Sequence, residues 1–113
     1  MEEKQPEPAC PLPRPPDFSG VNTLKLLPDP SPADYRAAME LAKAEAGKLF
    51  EEPMLLSWYD RDRNFEAPQH VSECHQLSAT PGYVDYGLNH GARLMIDIET
   101  GRFVFFYRDA FQL

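Results

Sequence analysis

A chain of 113 residues with 18 acidic side chains against 11 Lys plus Arg carries a formal charge of −7, and 42% of its residues are hydrophobic. These figures fit one small acidic domain. They exclude a Rossmann enzyme of ordinary size, a multidomain machine and a basic nucleic-acid binder.

Nine of the 12 prolines fall in the first 32 residues. The sequence therefore divides into a Pro-rich, mostly extended tail over 1–30 and a single domain over 31–113, whose folded part is about 80 residues. A domain of that size buries only about 60% of its unfolded surface, so a staple or a partner is expected. Cys10 and Cys74 allow at most one disulfide, and both are read as reduced thiols. The start, Met-Glu-Glu-Lys-Gln-Pro, lacks an apolar leader, and no stretch reaches the about 18 apolar residues of a membrane span. A cytoplasmic protein with no membrane partner is predicted. From Ala33 onward 13 acidic face 8 basic residues, a balance of −5, and Arg61 and Arg63 are interleaved with Asp60 and Asp62. Phosphate backbones would be repelled, which argues against a nucleic-acid partner.

In chain order, the prolines at 6, 8, 11, 13, 15 and 16 favour polyproline II. The Val21–Leu27 run interrupts the tail, and its Leu24, Leu26 and Leu27 suit an edge strand or an anchor. A helix follows, with Ser31 as predicted N-cap, Pro32 in its first turn and Asp34 near the positive end of the dipole. Tyr35, Met39, Ala42, Ala46 and Leu49 form its apolar stripe, and Pro53 ends it.

Beyond Pro53 the period changes to two. Strands are predicted over Met54–Tyr59, Gln69–Cys74, Tyr83–Leu88, Ala92–Ile98 and the Phe103–Tyr107 run, with a solvated charged loop at Asp60–Asn64. If Thr100-Gly101 is a two-residue loop, Leu94, Ile96 and Ile98 share a face with Phe103, Phe105 and Tyr107; a bulge at Gly101 would shift the pairing by one. The predicted fold class is α+β: one amphipathic helix packed on a four- to five-stranded antiparallel sheet, behind the extended tail. One helix covers one face, so Met95, Val104 and Phe106 on the other need a cover. The N-terminal segment, the C-terminal end or a second copy are the candidates, and a second copy is preferred.

The runs Glu52-Pro53-Met54-Leu55-Leu56-Ser57-Trp58-Tyr59-Asp60, the lone Cys74, Pro81-Gly82-Tyr83, Leu94-Met95-Ile96-Asp97-Ile98 and Phe103-Val104-Phe105 together resemble a small uncharacterised prokaryotic protein family, a domain of unknown function. The resemblance spans roughly residues 33 to 108. It implies a helix on an antiparallel sheet and brings no activity or binding residues with it.

Three histidines and one cysteine, His70, Cys74, His75 and His90, fall close together and form the candidate metal site, with zinc as the ion. On a strand His70 and Cys74 share a face and His75 points away, so a bend would be needed to close the site. The same alternation keeps His75 from the Cys74 sulfur, which argues against a thiol nucleophile, and no catalytic residue is assigned. Tyr83, Asp85 and Asp97 are the candidate small-ligand residues, with Trp58, Tyr86 and His90 as further aromatic lining. Asp97 has Arg93 or Arg108 as an alternative partner. No Walker A, GxGxxG, GxSxG or HExxH pattern occurs.

The function predicted from sequence is a non-enzymatic interaction or assembly module without cofactor. It forms a homodimer on the second face or the edge of the sheet, with Met95, Val104 and Phe106 as contacts. The alternative is a metal- or small-ligand-binding protein, weakly enzymatic at most, that uses the His70, Cys74, His75 and His90 cluster.

Overall fold

The computed structural model describes residues 17–68 and 82–111. In chain order they form β1 (Asn22–Leu26), α1 (Tyr35–Leu49), β2 (Pro53–Asp60), β3 (Phe65–Ala67), α2 (Gly82–Asn89), β4 (Leu94–Ile98) and β5 (Phe103–Asp109). The five strands make one sheet in the order β1-β4-β5-β2-β3. The pair β1 and β4 runs parallel, while β4 with β5, β5 with β2 and β2 with β3 run antiparallel. The α+β class holds, and two of its details change: the sheet is mixed, and it carries two helices. A parallel neighbour for β1 follows from the crossover through α1, which returns the chain to the other side of the β4–β5 hairpin.

The first helix is held close to the sheet by small residues. Ala38, Ala42 and Ala46 recur every four positions and are fully buried against Leu94, Ile96, Ile98, Phe103, Phe105 and Tyr107. Tyr35 and Met39 flank that stripe half-buried, whereas Leu49, expected on it, is exposed at the end of the helix. The N-cap is Asp34 rather than Ser31: its carboxylate accepts from the Arg36 and Ala37 amides at 3.0 and 3.2 Å. Asp competes well for this position because its side chain satisfies amides that have no partner in the first turn. The Ser31 hydroxyl accepts from Arg102 instead.

The hairpin register is the one predicted for a two-residue loop. Ile98 pairs with Phe103, Ile96 with Phe105 and Leu94 with Tyr107. Glu99, Thr100 and Gly101 have φ of 57°, 52° and 87°, and the Arg102 amide donates to the Ile98 carbonyl at 3.1 Å and to the Glu99 carbonyl at 3.3 Å. Positive φ thus runs over three residues, so the turn is wider than a two-residue primed turn although the register is the same. Leu94, Ile96, Ile98, Phe103, Phe105 and Tyr107 thereby share the face under α1.

The opposite face departs from the sequence reading. The strand expected over Tyr83–Leu88 is the helix α2, which places Val84 against Val104 and Phe106 and sets Gly87 over the Phe106 ring. Register shifts between Leu55 and Ser57 on β2, a bulge that turns both Leu56 and Ser57 toward this second face. The Ser57 hydroxyl donates to the Tyr83 carbonyl at 2.6 Å and ties β2 to the helix. The Phe18 ring stacks on Phe106 at 6.5 Å from the chain before β1.

Phe106 is 0% exposed and Val104 6%. The apolar surplus for which a second copy was the preferred cover is therefore taken up by α2 and Phe18 within the chain, and Met95, Val104 and Phe106 belong to an internal cluster. The strand expected over Gln69–Cys74 lies outside the described residues, and β3, which was not foreseen, pairs with the end of β2.

Candidate functional site

Of the proposed metal ligands, His70, Cys74 and His75 lie outside the described residues. His90 follows the last turn of α2, where its ring stacks on Tyr86 at 3.8 Å and Nδ1 sits 2.8 Å from the Tyr86 carbonyl oxygen. The same carbonyl already accepts the His90 amide at 3.0 Å, so a Nδ1–H in that place adds a second bond to it and fixes the ring against the helix end. Arg108 reaches the same end from β5 and donates to the His90 carbonyl at 3.1 Å. Gly91, at φ 88°, leaves room for it, since a Cβ there would lie 2.7 Å from Arg108 Nη1. Among the described residues, no three His, Cys, Asp or Glu side chains gather as metal ligands.

The proposed small-ligand residues are partly brought together. Tyr83 lies in the first turn of α2, stacks on Tyr59 at 5.0 Å, and donates its amide to Glu66 Oε1 at 3.1 Å. Its phenol is pushed up to about 12, by burial first and then by Tyr59, Asp97 and Glu66, so it stays a neutral hydroxyl through the physiological range. Asp97 thus lies within electrostatic reach of Tyr83. It accepts from the Gly101 amide at 2.6 Å, a bond within its own hairpin that replaces the expected pairing with Arg93 or Arg108. Asp85 sits half-buried in the first turn of α2. The aromatic lining expected around these residues divides between the faces: Trp58 lies under α1, stacked on Tyr35 and Phe105.

Two constellations escaped the sequence reading, and both arise from the charged loop. In the first, Asp60 is only 1% exposed and accepts from Arg63 Nε at 2.6 Å, while the Arg63 guanidinium lies over aromatic rings. The signal was present in the two-residue spacing of Trp58 and Asp60, which places both on the α1 face of β2.

In the second, Arg102 donates to both carboxylate oxygens of Asp62, to Glu99, to the Ser31 hydroxyl and to the Pro32 carbonyl. One side chain thereby ties the β4–β5 turn to the β2–β3 turn and to the segment leading into α1. The bonds from Arg102 hold the Asp62 carboxyl below its ordinary range, and the Ser31 hydroxyl, followed by Arg102, does the same for Glu99.

Carboxylates with depressed values stabilise the fold above their unfolded values and lose that contribution as pH falls through the folded ones. Melting temperature is therefore expected to drop as pH falls below about 4. Arg102→Met should melt lower at neutral pH and approach the parent curve in acid. Parallel curves across the pH series would remove Arg102 as the cause.

Residues 21–107 match the family described as Domain of unknown function (DUF5619). The chain belongs to this family. The matched span of this DUF5619 chain takes in β1 to β4 whole and ends within β5, so it reaches every strand of the sheet. The resemblance drawn from the strand sequences was to a domain of unknown function, and this is such a domain. The crystal structure of protein AF1514 from Archeoglobus fulgidus DSM 4304 superposes with a TM-score of 0.65 over 82% of this chain and 99% of that one, at 22% identity. That likeness is one of fold. No curated protein matches the chain. No helix among the described residues is long and apolar enough to cross a membrane.

Proposed function

We propose that this DUF5619 domain is a non-enzymatic assembly module of the cytoplasm that pairs with a second copy of itself through the outer edge of β1. The observation that carries this reading is the direction of the β1 backbone. The Asn22 amide donates to the Arg93 carbonyl and the Leu26 carbonyl accepts from the Glu99 amide, both at 2.9 Å. Asn22, Leu24 and Leu26 therefore turn their peptide groups toward β4, and by alternation Thr23 and Lys25 turn theirs outward. Among the described residues no strand lies on that side.

A two-fold axis at Leu24 would set Thr23 of each copy opposite Lys25 of the other, in hydrogen-bonded pairs with no like charges directly opposed. Leu24 would meet its counterpart on the α1 face, where Leu24 and Leu26 form the half-buried margin of the core. A single short strand is smaller than the about 800 Å² per partner of a stable dimer. The association is accordingly weak and concentration-dependent.

Sedimentation velocity over a concentration series tests it with Thr23→Pro, which removes an outward N–H and leaves the ladder to β4 intact. The parent should dimerise as concentration rises, and Thr23→Pro should stay monomeric with its melting temperature nearly unchanged. A parent that stays monomeric throughout, or a dimer that Thr23→Pro leaves intact, overturns the reading.

A further inference from the structure

We propose that the cage formed by Tyr35, Trp58 and Phe65 over Asp60 is a binding site for an external guanidinium group, for which Arg63 is a built-in placeholder. The site comes from three elements: Tyr35 opens α1, Trp58 and Asp60 lie two apart on β2, and Phe65 opens β3. Trp58 stands 5.6 Å from Tyr35 and 5.3 Å from Phe65 between ring centres. The Arg63 Cζ lies 3.9 Å from the Tyr35 centre, 4.8 Å from Phe65 and 5.9 Å from Trp58. A carboxylate buried beside three rings demands a cation, and the ring faces favour a flat one that can stack.

Arg63 fills this demand incompletely. It is tethered three residues along from Asp60, and among the described residues its only side-chain hydrogen bond is from Nε to Oδ2. Oδ1 accepts from the Asp62 amide at 3.0 Å. The Arg63 side chain remains 45% exposed. A guanidinium free of that tether can lie on the same rings and present two parallel N–H groups to Asp60, the stronger two-bond fork. The charge of −7 adds a long-range attraction for cations.

Trp58 is the chain's only tryptophan, so its fluorescence reports the site directly. In titrations with methylguanidinium at low millimolar concentration, Arg63→Ala should show a saturable change at a concentration at least about tenfold below the parent, because no internal group competes. Asp60→Asn added to Arg63→Ala should abolish the change, and methylammonium should not reproduce it. Free arginine and N-acetyl-arginine N-methylamide then separate the sources: equal binding points to an arginine side chain of a partner protein, and binding of the free amino acid alone points to a small molecule.

The absence of a saturable response in folded Arg63→Ala overturns the proposal. So does a parent protein that fails to respond at a hundred times the concentration that half-saturates the variant. If Arg63→Ala does not fold, the Arg63 Nε–H NMR signal of the parent decides. Its displacement on adding methylguanidinium is the expected result, and an unmoved signal overturns the site.

Discussion

Replacing Phe106 by alanine is expected to lower the folding free energy by about 3–5 kcal/mol. Its ring is fully buried on the second face, tilted against Tyr83 at 6.1 Å and stacked under Phe18, with Gly87 pressed onto its Cβ and Cγ. Removing it leaves Val84 against Val104 as the remaining apolar contact between α2 and β5, and opens a cavity that the helix backbone fills poorly. A domain of this size has about 5–15 kcal/mol in hand, so a large share of its stability is at stake. The outcome also separates two roles for the residue. A surface contact would cost association and spare folding, whereas a core residue costs folding itself. Urea unfolding followed by far-UV circular dichroism gives the answer, and a loss below about 1 kcal/mol would remove Phe106 from the core.

Gly87→Ala should destabilise the protein by about 1–3 kcal/mol, although alanine is the better helix former. A Cβ at Gly87 would lie 2.8 Å from Phe106 Cγ, 2.9 Å from Phe106 Cβ and 3.0 Å from Ser57 Oγ. These are atoms near the root of a buried ring and a hydroxyl already committed to the Tyr83 carbonyl, so neither yields without moving α2 off the sheet. Gly47 provides the internal control. It lies in α1 with nothing within 4 Å of the added methyl, so Gly47→Ala should stabilise by up to about 1 kcal/mol through helix propensity alone. Thermal melts of the two variants should shift in opposite directions, and a shift of the same sign would contradict the close approach of α2 to Phe106.

The contrast between these glycines shows what the sequence could reveal. The α1 stripe was legible because a 15-residue helix repeats its apolar face enough times to fix a period, and only its two ends departed, at the cap between Ser31 and Asp34 and at the exposed Leu49. The hairpin was legible because a loop as short as Thr100-Gly101 leaves few registers, and alternation along Leu94–Ile98 and Phe103–Tyr107 selects among them.

The helix α2 was not legible. Its eight residues, Gly-Tyr-Val-Asp-Tyr-Gly-Leu-Asn, hold two glycines and several β-formers, and their own preferences point to a strand. What selects the helix is tertiary: β2 and β5 have an apolar second face, and Val84 and Gly87, three apart, meet it together. The same mechanism hid the arginine cage. Asp60–Asn64 has the composition of a solvated loop; the spacing from Trp58 turns the Asp60 carboxylate inward, but only the folded chain brings Tyr35 and Phe65 beside Trp58.

The place of β5 bears on how the molecule acquires its shape. It is the last strand in order, yet it lies at the centre of the sheet between β4 and β2, and both helices rest on it. On a ribosome, β1, α1, β2 and β3 emerge before the strand that would join them exists. They have no shared core to settle on until the final hairpin is released. Acquisition of the native state is then a late event that draws distant parts of the chain together at once, which predicts slow folding for so short a domain. It also makes the early-emerging apolar strands the natural clients of a chaperone during synthesis.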